Sequence, residues 1–440
     1  MKPHVIIRLR DGAQAPDVAS WQESIADKGG AQASLTPAID AVLRRHGVPV
    51  WVTREYAPAG ERWTSDELTA KLDRIYRLIL REQSAIPAGL VEDISLVPEV
   101  EYARAGRVGV TDLAPAAAQS VRTDSWSREA IGLPDAHRWG TGRPEITVAV
   151  LDTGVDVRHP ELAKAVVPGH DFVDILDGAG TFLGDFLDAD TDPEDPVGHG
   201  THVSGIIAGA GERMPTGVAP GCRLLPVRVL GAMRQGGRPV GAGLVDNINT
   251  GLKWAIDQGA HVINMSFGLP RTGSGLPHAE VVEYGLRRGV VMVAAAGNDG
   301  HEKLYYPGSL PGVIAVGASD PQDAVAAFST YGPQVLLTAP GTDIYSSFPD
   351  AGYAFASGTS QAAPFVTGAA ALLQSAALEH GRRRLGVGDL RRLLVATADR
   401  TDAAFRTVRG GHGRVNVADA LRLLDLMSAQ TDLTPERTTA

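Results

Sequence analysis

The sequence predicts an α/β protein: a doubly wound, mostly parallel sheet preceded by a small α+β domain. Three observations carry this reading. From Trp126 onward, short and almost uninterrupted apolar runs alternate with helical stretches, as expected of strands covered on both faces by helices. Before that point the order is strand, helix, strand, helix, strand. Between the two lies Ala114-Pro115-Ala116-Ala117-Ala118-Gln119-Ser120, which has no apolar period and reads as a linker. A chain of 440 residues is also too long for one ordinary domain and suits a core of roughly 300 residues plus a smaller unit.

Taken in order, residues 4–10 read as a strand, 35–46 as a helix and 48–56 as a strand. Residues 65–84 read as one amphipathic helix, because Leu68, Leu72, Ile75, Leu78 and Ile79 recur at helical spacing behind a Thr64-Ser65-Asp66 start. A partly apolar stretch from Leu96 to Tyr102 completes a pattern compatible with a ferredoxin-like split βαβ unit. The small domain is thus expected over 1–105, the linker over 106–124, the large domain over 125–426 and a frayed polar tail over 427–440. In the large domain, strands are expected at 146–152, 223–230, 262–267, 290–296, 313–317 and 335–339. Helices are expected at 199–210, 243–258, 278–288, 360–378 and 387–397. Ligands of such sheets sit beyond the carboxyl ends of the strands, where Asp152 and Asn298 both fall.

Composition removes several functions. Lys and Arg number 41 against 51 Asp and Glu, a net charge of −10, which argues against nucleic acid or an anionic membrane as partner. Cys222 is the only cysteine, so neither an intramolecular disulfide nor a thiolate metal cluster can form, and it is expected to be a small buried hydrophobe. No run approaches the ~20 apolar residues of a membrane span. The first ten residues hold one short apolar run broken by arginine, unlike a secretory leader. As written the chain therefore reads as cytoplasmic, and as secreted if a leader was removed before residue 1.

Three separated strings carry the chemistry: Val148-Ala149-Val150-Leu151-Asp152-Thr153-Gly154, Gly198-His199-Gly200-Thr201-His202-Val203 and Gly358-Thr359-Ser360-Gln361-Ala362-Ala363-Pro364. Together they supply a carboxylate at a strand end, an imidazole between glycines and a hydroxyl before an alanine-rich helix. Each has an ordinary structural reading when seen alone: an Asx turn, a helix-start histidine and an N-cap serine. Jointly they match the needs of nucleophilic catalysis, with Ser360 as nucleophile, His199 as base and Asp152 as the acid that orients the base. Pro364 is expected near the first helical turn, where a missing donor costs little. His199-x-x-His202 invites a zinc reading, but no glutamate-containing zinc signature surrounds it. His202 is instead expected to support the site by packing or a hydrogen bond.

The order Asp, His, Ser in these strings resembles the subtilisin-like serine proteases, the subtilases, rather than chymotrypsin-like enzymes or α/β-hydrolases. The resemblance implies a serine endopeptidase acting on polypeptides through an acyl-enzyme, with no cofactor needed for the chemistry. It implies that Asn298, in Ala294-Ala295-Ala296-Gly297-Asn298, donates to the oxyanion. Substrate backbone would pair with Ser266-Phe267-Gly268 on one side and Leu230-Gly231 on the other. Ala295, Ala296 and Gly297 would line the pocket beyond them, with Tyr305 narrowing its wall. The small domain resembles the inhibitory propeptides of these zymogens, making it an intramolecular partner and the linker the natural place for a cut.

Two departures from the family pattern stand out. Gln361 follows Ser360 where many subtilases carry methionine, which removes an oxidisable thioether, so activity is expected to survive mild peroxide. The segment Asp171–Asp195 holds Asp171, Asp174, Asp177, Asp185, Asp188, Asp190, Asp192, Glu194 and Asp195 without Lys or Arg. It reads as a solvated acidic loop, a structural calcium site or a negative wall that selects basic substrates. Two further functions stay open on these residues: a transpeptidase, in which an amine replaces water, and a silent peptide-binding module.

Overall fold

The computed structural model of the protein describes residues 2–26, 32–112, 117–118, 126–174, 182–183, 189–235, 238–270, 276–379, 381, 383–400 and 404–432. The first hundred residues run β1 (His4–Leu9), α1 (Pro37–Arg45), β2 (Val50–Arg54), α2 (Ser65–Thr69), β3 (Ile75–Leu80), α3 (Leu90–Ser95) and β4 (Val100–Ala105). The strands form one antiparallel sheet in the order β2-β3-β1-β4, the topology of a ferredoxin-like unit. Because side chains alternate along a strand, Val5, Ile7 and Leu9 of β1 fill the small domain's own core while Ile6 faces the large domain.

The helix expected over 65–84 is not one element. Its start is as read, since Thr64 and Glu67 form a reciprocal capping box, but it ends at Thr69 and Lys71 turns left-handed at φ 62°. The chain then continues as β3, between β1 and β2. Leu72, Ile75, Leu78 and Ile79 satisfy a helical period, yet Tyr76, Leu78 and Leu80 also alternate and point into the core of the small domain. On the opposite face Arg77, fully buried, is held bidentately by Glu55 at 2.7 Å for both bonds. A charged residue that would mark a helix's wet side is here an internal ion pair.

The linker is also more ordered than its composition suggests. It carries β5 (Val108–Asp112) and the two-residue β6 (Ala117–Ala118), while Ala114-Pro115-Ala116 and Gln119-Ser120 lie outside the described residues.

The large domain runs β7 (Thr147–Asp152), β8 (His170–Asp171), β9 (Phe182–Leu183), α4 (His199–Ala208), β10 (Arg223–Arg228), β11 (Gly231–Gln235), β12 (Arg238–Leu244), α5 (Val245–Asp257), β13 (Val262–Met265), β14 (Leu269–Pro270), α6 (Ala279–Arg287) and β15 (Val291–Ala295). It continues through β16 (Tyr305–Tyr306), β17 (Ile314–Ser319), β18 (Val335–Pro340), β19 (Ile344–Phe348), β20 (Gly352–Ala356), α7 (Thr359–Glu379), α8 (Val387–Ala396) and α9 (Val417–Asp432). Seven strands form a parallel sheet in the order β18-β17-β15-β13-β7-β10-β8, as the near-continuous apolar runs predict. Val148 and Val150 of β7 pack in the layer of α4 and α7, and Ala149 and Leu151 in the layer of α5 and α6. The strand order diverges on either side of β7, so Asp152 at its carboxyl end sits at the topological switch point.

Residues 427–432, read as part of a frayed tail, continue α9, and 433–440 lie outside the described residues. Cys222 is buried in the core as expected, its Sγ 3.6 Å from the Ser375 hydroxyl. Among the described residues no helix is long and apolar enough to cross a membrane. The small domain docks on α5 through buried polar and charged groups: His4 Nε2 lies 2.9 Å and Arg104 2.5 Å from the Asp246 carboxylate, and Lys253 lies 2.7 Å from Glu67.

Candidate active site

Asp152, His199 and Ser360 are all buried, each delivered by a different element. His199 opens α4 directly after Gly198, whose φ of 98° lets the helix start abruptly. A side chain at Gly198 would strike the Phe348 ring at 2.3 Å, and one at Gly200 the Gly154 carbonyl at 2.0 Å, so both glycines are needed for close approach. The imidazole Nδ1 donates to Asp152 Oδ1 at 2.6 Å, and the Thr153 N–H holds the same oxygen at 2.8 Å. Among the described residues His199 Nε2 has no hydrogen-bond partner. Burial alone would lower the pKa of His199, but the charge and hydrogen bond of Asp152, with the charge of Asp195, outweigh it and raise it above the ordinary value.

Ser360 lies in the first turn of α7. Its hydroxyl donates to the Ser266 carbonyl at 2.9 Å, while the Ser266 hydroxyl donates to the Ser360 carbonyl at 2.8 Å. The second bond has a cause in the sequence. Pro364 stands one turn deeper in the helix than expected and has no N–H to give the carbonyl four residues back, which is that of Ser360. Ser266 satisfies the orphan acceptor and ties the start of α7 to the end of β13. Asn264 braces Ser266 in turn, donating to its hydroxyl at 2.9 Å and accepting from Thr367 at 2.8 Å.

Asn298 follows β15 and is half-buried. Its Oδ1 accepts from the N–H and the hydroxyl of Thr359, at 2.9 and 3.0 Å, which fixes the amide's orientation and leaves Nδ2 as the free donor. Thr359 also accepts from the Gly297 N–H at 3.1 Å. The residue before the serine thereby positions the asparagine.

Ser266, Phe267, Gly268, Ala295, Ala296, Gly297 and Tyr305 do come together. Strands β14 and β16 pair, and Tyr305 lies so close that a side chain added to Gly268 would meet its Cβ at 3.0 Å and one added to Gly297 its ring at 2.6 Å. Tyr305 is anchored by Asp299 at 2.7 Å and by Lys303 at 2.8 Å. Leu230 and Gly231 sit at the start of β11, whereas the strand next to β5 is β12, with Gly109 opposite Gly243 and Thr111 opposite Gly241. The legible signal was Gly241-Ala242-Gly243, residues small enough for another backbone to lie alongside. Leu269 packs against Gly109, so β5 runs between β12 and β14. Strand β6 pairs with β20, which leads directly into Gly358-Thr359-Ser360.

His202 is a support, as expected: its Nε2 reaches the Ile344 and Ala354 carbonyls, both at 3.1 Å, and burial lowers its pKa to about 3. Among the described residues no group of three His, Cys, Asp or Glu is placed to hold a metal. In the acidic segment Asp171 pairs with Arg228 at 2.6 Å, and Asp190 and Asp192 accept from nearby backbone N–H groups. Asp177, Asp185 and Asp188 lie outside the described residues. Asp195 is not part of a solvated loop at all but is buried beside the catalytic candidates.

A parallel sheet with an aspartate at its switch point, paired to a histidine that opens one helix, and a buried serine that opens another helix define a class. The subtilase family model matches residues 143–415, and the chain belongs to that family. Its relatives include the thermophilic serine proteinase of Bacillus sp. (strain AK1), 39% identical over 276 residues that cover 62% of this chain and 61% of that protein. Subtilisin Savinase of Lederbergia lenta is 39% identical over 258 residues, 58% of this chain and 85% of the relative. Thermitase of Thermoactinomyces vulgaris is 38% identical over 277 residues, 62% of this chain and 88% of the relative. The chain thus spans less than two thirds of the first relative and most of the other two.

Proposed function

We propose that the protein is a serine endopeptidase restrained by its own N-terminal domain. The observation that carries this reading is the 2.6 Å contact of His199 Nδ1 with buried Asp152, which leaves Nε2 unprotonated and free to accept. His199 takes the proton of Ser360 as the hydroxyl attacks a peptide carbonyl, and Asp152 stabilises the imidazolium formed. Asn298 Nδ2 and the Ser360 N–H, at the positive end of α7, hold the developing oxyanion. His199 returns its proton to the leaving amine, and water then releases the acyl group.

The restraint is supported by the linker. Its β5 is an added strand on β12 and lies against Leu269 of β14, and its β6 pairs with β20, the strand that leads into Ser360. The four residues between them, Leu113 to Ala116, are the proposed place of the cut. The Tyr305 ring against Gly268 and Gly297 supports a pocket shaped for a small side chain before the scissile bond.

Labelling by a fluorophosphonate tests the chemistry: the wild-type protein is expected to react and Ser360→Ala not to, and an unreactive wild type would refute the reading. N-terminal sequencing tests the restraint. A new terminus within 113–117 is expected in the wild type, with the Ser360→Ala chain intact.

A further inference from the structure

In the sequence Asp195 is one acid among nine in a segment that reads as a solvated loop, a calcium site or a negative wall. The structure buries it and surrounds it with donors. Its Oδ1 accepts from the Thr153 hydroxyl at 2.8 Å, the Val197 N–H at 3.0 Å and the Gly198 N–H at 2.8 Å. Its Oδ2 accepts from the N–H and hydroxyl of Thr201, at 2.8 and 2.7 Å. Thr153 Oγ1 itself accepts from the Gly200 N–H and Thr201 Oγ1 from the Asp156 N–H, each at 2.9 Å, which helps to orient both hydroxyls toward Asp195. These five donors favour the charged form of the carboxyl and oppose the burial that pushes its pKa upward.

Two partners of this carboxylate are immediate neighbours of the residues that meet in the site: Thr153 follows Asp152 and Gly198 precedes His199. Thr153 in turn accepts from the N–H of Gly200, which follows His199. We propose that Asp195 is a positioning residue: it fastens the end of β7 to the start of α4, so that the imidazole meets Asp152 in one geometry, and it adds a second buried negative charge that favours the imidazolium. This rests on the proteolytic reading above. The charged and titratable groups acting on His199 are Asp152 from β7, Asp195 from the segment before α4 and His202 from α4, the last held neutral by burial.

The test is an NMR titration of His199 in the full-length Ser360→Ala chain, with and without Asp195→Asn, which reads the imidazole without needing activity. Removing the charge is expected to lower the His199 pKa, because a neighbouring buried negative charge favours the imidazolium. An unmoved titration in a folded variant overturns the proposal. If Asp195→Asn does not fold, Thr201→Val serves instead. It withdraws one donor from Asp195 and leaves its charge less neutralised, so the His199 titration should move upward, and an unmoved or lowered midpoint overturns the proposal. Failure of fluorophosphonate to label the wild type would instead count against the proteolytic reading, since the titration does not depend on it.

Discussion

A histidine whose Nδ1–H is spent on a buried carboxylate can act as a base only through Nε2, and only while it is neutral. Because the pKa of His199 is raised in the folded protein, the neutral form is lost as pH falls through a value above the ordinary histidine figure of about 6.5. The pH profile of kcat/KM is therefore expected to show its acid limb above pH 6.5. Asn298 is held by its oxygen and offers its nitrogen, so Asn298→Ala should lower kcat by about 10²- to 10³-fold with little change in KM, the loss known for removing such a donor from subtilisin itself. Gln361 offers a different test, since both of its amide atoms are buried without a hydrogen-bond partner among the described residues. Gln361→Met should stabilise the fold by about 1–2 kcal/mol, seen as a higher Tm, and should make activity sensitive to peroxide that the wild type is expected to tolerate.

At the scale of single elements, the informative case is β3. The same apolar positions satisfy periods of 3.6 and of 2, and the arbiter is Arg77, which no local rule assigns to an interior. Its bidentate pairing with Glu55, also fully buried, makes the strand assignment testable. Arg77→Ala would leave a carboxylate unpaired in the interior, and a loss of about 3–5 kcal/mol is expected in thermal or urea unfolding. A helix with Arg77 on its wet side would show almost none. Helix α7 makes the complementary point. The proline that ought to weaken it is matched by a serine 98 positions earlier in the chain, so a local defect becomes a tertiary tether.

At the scale of the whole molecule, two cores meet across one face of the parallel sheet's helical layer. Ile6, Tyr56, Leu72 and Ile75 of the small domain belong to the same apolar cluster as Ile248, Leu252 and Val281 of α5 and α6. Asp246 sits fully buried at this seam, with His4 and Arg104 as its partners. Asp246→Ala should weaken docking because it leaves two basic groups without their acceptor. The N-terminal fragment released by the proposed cut is expected to co-elute with the rest of the wild-type protein in gel filtration and to separate from this variant.

The sequence by itself determined the parallel sheet and the identity of the catalytic candidates. Both are written locally: buried strands are apolar throughout, and Asp152, His199, Ser360 and Asn298 each stand in a short string whose glycines, strand end or helix start reveals the backbone they need. Only the tertiary structure decided that 75–80 is a strand, that the linker's β5 pairs with β12, and that Asp195 is interior. The reason is common to all three. Burial and strand pairing are properties of a partner far away in the chain, and neither period nor composition records which partner arrives.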